Sequence, residues 1–210
     1  MTRSILKLNH LEPFAIGGTR RCYIHPDNPC LCVKVLREDR TPRERRRLVA
    51  GPKRFLPLQR FDDQWKEQRA YDELLSNLTD ATWQHVPEYF GTVDTDLGLG
   101  IVSRVFRNHD GKFPQTLEDL LPIEGITDAL RDAIQEFKQW LRTDLFLSRH
   151  LLPHNIIVVK LTDTSYRLVI VDGIGNSEMI PISSWFKFFA RNKIERKIRY
   201  FDFRINELLK

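Results

Sequence analysis

Two polar residues, Asn155 and Asp172, flank a pair of apolar runs, and their side chains are of types that can bind a hard cation. The runs Ile156 to Leu161 and Tyr166 to Val171 are separated by four residues, which predicts a β-hairpin with arms of equal length. In that hairpin Asn155 and Asp172 face each other at the open end. An amide oxygen and a carboxylate held together can bind Mg²⁺, which takes few protein oxygens and keeps positions for phosphate and water. The alternative is a turn asparagine and a turn or helix-capping aspartate.

A lysine within an apolar strand is the second candidate for chemistry. Alternation from Cys30 to Val35 places Lys34 on one face with the cysteines, opposite the aliphatic residues. Such a lysine needs a charge partner or an anion, unless its tip reaches solvent past the strand edge. Glu67 on the following predicted helix is the natural partner, and Glu73 on the same helix is the alternative.

Gly17 and Gly18 form the third candidate, a turn between two predicted strands. Backbone N–H groups in such a turn can approach phosphate, and Arg20 and Arg21 follow closely. Two adjacent glycines are also common in turns that bind nothing, so this signal is weak by itself.

The first half of the chain contains the elements that must position the lysine and the glycines. They are predicted to be a three-strand meander ending at Leu36, a basic insertion at 37–60 with one short helix, a helix at 62–78, and strands at 88–93 and 99–106.

The second half must position the Mg²⁺ ligands. Apolar residues at helical spacing predict one long amphipathic helix over 126–146, with Thr127 as its N-cap. A loop at 148–154 and the hairpin follow, and a final helix is predicted over 182–209. In this last helix Trp185, Phe188, Phe189, Ile194, Ile198 and Phe201 fall near helical spacing, which predicts that they pack on the body of the protein.

The composition is that of a globular protein. The 210 residues are 41% hydrophobic and 29% charged, which excludes disordered, collagen-like and disulfide-scaffold classes. Because the sequence contains no run of eighteen apolar residues, we expect no membrane span and a cytoplasmic location. The three cysteines, Cys22, Cys30 and Cys32, predict reduced thiols, and a zinc site that includes His25 is the alternative.

Positive charge is concentrated in two segments. Residues 36–60 contain nine Lys or Arg against three acids, and residues 186–210 contain eight against three, whereas the formal net charge of the whole chain is only +5. Two basic patches on an otherwise acidic body indicate an anionic partner, such as nucleotide phosphate, an anionic lipid surface or nucleic acid. Solvated basic faces without a partner are the alternative.

The order of glycine turn, strand lysine, helix glutamate, loop asparagine and post-hairpin aspartate resembles the protein-kinase-like fold. More closely, the segments GGTRRCYIHP, CVKV, VPEYFGTVDTDLGLG, PHNI, DGIG and IPISSW resemble the bacterial YrbL family of the PhoP regulatory network. The resemblance implies a two-lobed α+β fold, with a small antiparallel-sheet N-lobe over 1–106 that carries the insertion at 37–60, and a reduced, mainly helical C-lobe over 107–210.

The same resemblance implies a role for each candidate residue. Lys34, oriented by Glu67, would hold the α- and β-phosphates of ATP, and Gly17 and Gly18 would cover the phosphates. Asn155 and Asp172 would bind Mg²⁺.

The departures from a working kinase are equally specific. His150 stands where a kinase has its catalytic aspartate, and Leu152 stands where it has the loop lysine. Only 38 residues follow Asp172, too few for the usual activation segment and peptide-docking helices, so we expect no conventional protein-kinase activity. His150 is either a general base, since an ordinary imidazole pKa of about 6.5 suits that role, or a loop residue without catalytic function.

The sequence therefore predicts a kinase-like protein that binds ATP and Mg²⁺. It would be a regulatory pseudokinase or an atypical phosphotransferase, and nucleotidyl transfer with ATP bound in reverse is a further alternative. A different class, which we weigh as weaker, is a basic regulator that binds nucleic acid or an anionic surface without nucleotide chemistry.

Overall fold

The computed structural model describes residues 5–75, 79, 81–175 and 187–210. The chain forms two compact units. Unit 1 contains the residues up to Asp72 and the segment Glu88–Val105. Unit 2 contains Glu73–Pro87 and Phe106–Lys210.

Unit 1 is built on an antiparallel sheet. Its strands are β1 (Ala15–Ile16), β2 (Arg20–His25), β3 (Asn28–Leu36), β4 (Tyr89–Thr95) and β5 (Gly98–Arg104), in the order β1-β2-β3-β5-β4. The predicted meander and the two later strands are thus confirmed. In the middle strand β3, Lys34 lies opposite Cys22 on one side and Ile101 on the other.

Alternation along β3 separates an apolar face from a polar one. Val33 and Val35 pack with Leu8 and Tyr23 in a buried cluster. Since neighbouring side chains in a strand point to opposite faces, Lys34 lies on the other face, as the sequence predicts. Its side chain is nevertheless buried.

The basic insertion has little regular structure. It contains one short helix, α1 (Pro42–Arg47), as predicted, and the 3₁₀ turns Glu38–Arg40, Gly51–Phe55 and Leu58–Phe61. The Thr41 side chain accepts a hydrogen bond from Glu44 N and caps α1. Arg45 fastens the insertion to the helix that follows, since it donates to Phe61 O at 3.3 Å and pairs with Asp63. That helix is α2 (Asp63–Leu75).

Unit 2 combines helices with one hairpin. Its elements are α3 (Thr82–His85), α4 (Leu117–Glu124), α5 (Asp128–Thr143), the hairpin of β6 (Ile156–Thr162) and β7 (Ser165–Ile170), and α6 (Lys187–Leu208). The predicted long helix is confirmed as α5, where Thr127 Oγ1 accepts from Leu130 N at 3.2 Å. The sequence reasoning did not anticipate α4.

An aromatic core holds α5 against its neighbours. The Phe137 ring is fully buried and lies 5.7 Å from the rings of His85 and Trp140 and 6.1 Å from that of Phe201. His85 Nδ1 lies 2.8 Å from Leu168 O and bonds to it. Desolvation lowers the pKa of this buried histidine, so the ring is neutral near pH 7.

The predicted apolar face of the last helix is partly wrong. Ile194, Ile198 and Phe201 of α6 are buried, as expected. Phe188 and Phe189, however, are 68% and 50% exposed, because they lie on the opposite side of the helix from the buried residues. Trp185 and positions 182–186 of the predicted helix lie outside the described residues. Within the described ranges, no helix is both long and apolar enough to cross a membrane.

Candidate nucleotide and metal site

Unit 1 contains the ion pair expected between Lys34 and Glu67. Lys34 Nζ lies 3.4 Å from Glu67 Oε1, and both side chains are buried. The pair forms because β3 directs the lysine away from the apolar cluster and α2 presents Glu67 on its buried side. The alternative partner, Glu73, is exposed.

Arg20 is a third member of this buried cluster. It is 5% exposed and pairs with the other carboxylate oxygen of Glu67. The sequence reasoning placed Arg20 only near the glycine turn, because nothing in its local pattern indicates a partner 47 positions away. The two cations offset part of the cost of burying this carboxylate.

Gln64 supports the same cluster from the first turn of α2. Its side-chain nitrogen donates to Leu99 O and, at 3.5 Å, to Lys34 O. These bonds connect α2 to β3 and β5, the strands beside it. Gln64 is therefore a positioning residue that sequence reasoning missed.

The glycine turn lies between β1 and β2 and is exposed. Gly17 N donates to Arg20 O at 2.8 Å, which closes the turn. Neither glycine has a positive φ angle, and a side chain at Gly18 would meet no atom within 4 Å. The backbone itself therefore does not require glycine here. The effect of the two glycines is to leave the space above the turn free of side chains.

In unit 2 the loop at 148–155 is joined directly to the segment 172–175. Gly173 O accepts hydrogen bonds from Ser148 Oγ at 3.0 Å and from Arg149 N. Gly173 has a φ of +76°, and a Cβ there would lie 3.1 Å from His150 N. Both the conformation and the close approach require glycine. Gly173 therefore fixes the backbone of the loop at His150.

The hairpin exists, but its register differs from the predicted one by one residue. Ile156 pairs with Ile170, so Asn155 stands opposite Val171 and not Asp172. The physical reason is an irregularity in the ladder between Lys160 and Thr162, which the count of equal arms did not include. The predicted facing of Asn155 and Asp172 across the ladder is therefore wrong.

Other contacts hold the two proposed metal ligands at this end of the hairpin. Asn155 Nδ2 donates to His150 O at 3.1 Å. Asp172 lies in a bend just beyond β7, and its Oδ1 accepts from Gly173 N at 2.7 Å. Both side chains are half-buried. An amide oxygen and one carboxylate form a donor set that suits Mg²⁺.

His150 is exposed, and its carbonyl rather than its ring makes the loop contacts described above. Lys197 of α6 holds the neighbouring residue, because its Nζ donates to Arg149 O at 2.8 Å. Burial, with the nearby charges of Lys193 and Arg196, lowers the pKa of Lys197 to about 8. No local pattern in the sequence predicts this contact of Lys197.

The cysteines show no arrangement for zinc in the part of the chain that the structure describes. Cys32 is buried with its Sγ 3.3 Å from Ser103 Oγ, and Cys30 is exposed. Among the described residues no group of three His, Cys, Asp or Glu side chains is placed to hold a metal ion.

These features define a protein of mixed α+β class that is built from two compact units. One unit has an antiparallel sheet with a buried lysine–glutamate pair, and the other is mainly helical and carries a loop, a hairpin and an Asp-Gly segment. The sequence also identifies the family of the protein. The chain belongs to the family described as PhoP regulatory network protein YrbL, whose model matches residues 6–205.

Two relatives carry the family name. The proteins named YrbL from Escherichia coli (strain K12) and Shigella flexneri are each 29% identical to this chain over 197 residues. The match covers 91% of this chain and 84% of each relative.

Among solved structures, the chain is similar to the crystal structure of Rad53 1-466 in complex with AMP-PNP. The TM-score is 0.44 at 16% sequence identity. The match covers 77% of this chain but only 36% of the Rad53 chain, so this chain spans about a third of that structure.

Proposed function

We propose that this protein binds ATP together with Mg²⁺ and acts as a regulatory pseudokinase. The observation that carries the proposal is the buried pair of Lys34 and Glu67 on two different elements of unit 1. Burying a lysine and a glutamate costs free energy, and their pairing alone seldom repays it in stability. A functional need for a fixed ammonium group, such as phosphate binding, accounts for keeping both.

Each residue then has a definite task. Lys34 would contact the phosphates, Glu67, itself paired with Arg20, would hold the ammonium group in place, and the turn of Gly17 and Gly18 would leave room above it. Asn155 and Asp172 would hold Mg²⁺. When bound, Mg²⁺ would neutralise part of the phosphate charge.

The loop supports a role without phosphoryl transfer. Leu152 supplies no charge to a transferred phosphate, and His150 replaces the carboxylate that a kinase uses as its base. Both substitutions remove electrostatic stabilisation of the transition state at once.

An atypical phosphotransferase is the second candidate, and one observation favours it. The His150 backbone is fixed by Gly173 and Asn155, while its side chain is exposed to any incoming hydroxyl group. A neutral imidazole in that position can accept a proton. Mass spectrometry of the protein after incubation with Mg²⁺ and ATP separates the two candidates, because a pseudokinase gives no phosphorylated or nucleotidylated product.

Calorimetric titration of ATP, with Mg²⁺ or with a chelator, tests the binding itself. Wild type is expected to bind more tightly with Mg²⁺. Asp172→Ala should weaken Mg²⁺-dependent binding by about tenfold or more, on the order of 1.4 kcal/mol. Asp163→Ala is the matched control, because the Asp163 side chain is 93% exposed in the hairpin turn and lies outside the proposed site. Equal affinity of wild type and Asp172→Ala with Mg²⁺ would overturn the metal assignment.

A further inference from the structure

The outward side of α6 carries four exposed aromatic rings. Phe188, Phe189, Tyr200 and Phe203 are each 50–68% exposed. At 100° per residue they fall within an arc of roughly 120°, and Phe188 and Phe203 are about 22 Å apart along the helix. Arg196 and Arg199 are exposed within the same arc. We call these six residues the α6 outer face.

Two of the three acidic residues of α6 are directed towards the neighbouring helix α5. Glu195 pairs with Arg142 at 2.7 Å, and Asp202 pairs with Lys138 at 2.9 Å, both on the neighbouring helix α5. The third acid, Glu207, falls within the arc of the outer face near the end of the helix, and its pairing with Lys210 balances its charge. The arginines of the outer face therefore keep its charge positive, while the acids of the central turns bind α5.

Exposed rings on this scale need an explanation. Exposed phenylalanines forgo the stabilisation that burial gives, and apolar side chains clustered on one surface mark a binding site. Aromatic and arginine side chains together are typical of helices that lie in the interface of a membrane, with rings near the acyl chains and guanidinium groups at the phosphates.

We propose that the α6 outer face docks on a bilayer that contains anionic phospholipid. Charge complementarity favours this occupant over a second copy of the chain. In a two-fold antiparallel pairing of α6, Arg196 and Arg199 lie near the centre of the face and would meet their own copies. Like charges brought together in this way oppose association.

The ring geometry favours lipid over nucleic acid. Phe188 and Phe189 contact each other edge to face at 5.8 Å, and Tyr200 and Phe203 stack at 6.2 Å. Base stacking requires open ring faces, and each of these rings already uses part of its surface on its neighbour. A fluid bilayer accepts ring pairs at any spacing.

Co-sedimentation of the full chain with vesicles tests the proposal. Vesicles that contain phosphatidylglycerol should bind the protein, whereas pure phosphatidylcholine vesicles should bind it at least tenfold less. The double variant Phe188→Ser/Phe203→Ser should lower the partition coefficient by about tenfold or more. Phe90→Ser is the matched control, since Phe90 is an exposed phenylalanine of unit 1, and it should bind like wild type.

A second variant tests the charges separately. Arg196→Gln/Arg199→Gln should reduce binding to phosphatidylglycerol vesicles about 10- to 30-fold, since each basic residue near an anionic surface contributes roughly 1 kcal/mol. Equal binding of wild type and both double variants would overturn the proposal. The absence of vesicle binding would also overturn it. In that case, salt-dependent binding of an RNA oligonucleotide would point to nucleic acid as the partner, and formation of a dimer would point to a second copy of the chain. None of these outcomes bears on ATP binding, which the titration with Asp172→Ala tests independently.

Discussion

The substitution Glu67→Gln tests whether charge holds the buried cluster of unit 1 together. The variant keeps the size and shape of the side chain but removes its negative charge. Lys34 and Arg20 are then left as buried cations without the carboxylate that lies between them. We expect a large loss of stability from this single change.

The magnitude follows from the geometry. Two unit charges at the observed 3.4 Å attract each other by about 5 kcal/mol when the effective dielectric constant is about 20. Rehydration of the lysine and arginine recovers part of this energy, and a broken buried ion pair generally costs about 3–5 kcal/mol. For a chain of this size that corresponds to a fall in melting temperature of roughly 6–20 °C.

Thermal unfolding followed by circular dichroism, repeated with urea, measures the effect. Glu73→Gln is the matched control, because it makes the same chemical change at an exposed position of the same helix. Its effect should stay within about 0.5 kcal/mol. If Glu67→Gln and Glu73→Gln unfold at the same temperature and urea concentration, the two buried cations do not require the charge of Glu67 and the reasoning is wrong.

Three further predictions concern unit 2. Gly173→Ala should destabilise the protein by about 1–3 kcal/mol in urea unfolding, because it strains a positive φ and crowds His150, whereas Gly18→Ala should have little effect. If His150 is a base, His150→Ala should lower any ATP-consuming activity about 10²- to 10⁴-fold without loss of ATP binding, and unchanged activity would exclude that role. Burial lowers the pKa of His85, so the folded protein favours the neutral ring. The stability that neutral His85 contributes is complete above the unfolded pKa of about 6.5 and is lost as the pH falls below it. Urea unfolding between pH 7 and 5 should therefore show a smaller pH dependence in His85→Gln than in wild type.

Elements with a strong local pattern could be predicted from the sequence. The meander, α5 and the hairpin each have a regular period and turn or capping residues at their ends, such as Thr127. The helix α4 was missed because it has only eight residues and contains Pro122. The predicted hairpin register differs from the observed one by one residue, because no sequence pattern indicates the irregularity near Lys160.

The candidate site could be predicted only where a residue was unusual for its surroundings. Lys34 was found because a lysine is rare in an apolar strand, and Glu67 because the next helix had to supply its partner. Arg20, Gln64 and Lys197 were missed because each acts through a tertiary contact that leaves no local signal. Exposure of Phe188 was also missed, because spacing that is only roughly helical hides that Phe188 lies about 120° around the helix from the buried Ile194.

Labelling with an acyl phosphate of ATP tests nucleotide binding most directly. In such a probe the amine of a lysine beside the bound phosphates attacks the acyl carbon, an amide bond forms, and ATP leaves as the bond between acyl carbon and phosphate oxygen breaks. Mass spectrometry of the digested protein then identifies the labelled lysine. We predict acylation of Lys34, abolished by excess ATP with Mg²⁺. Acylation confined to exposed lysines such as Lys53, with no protection by ATP, would contradict the proposal that this protein binds ATP.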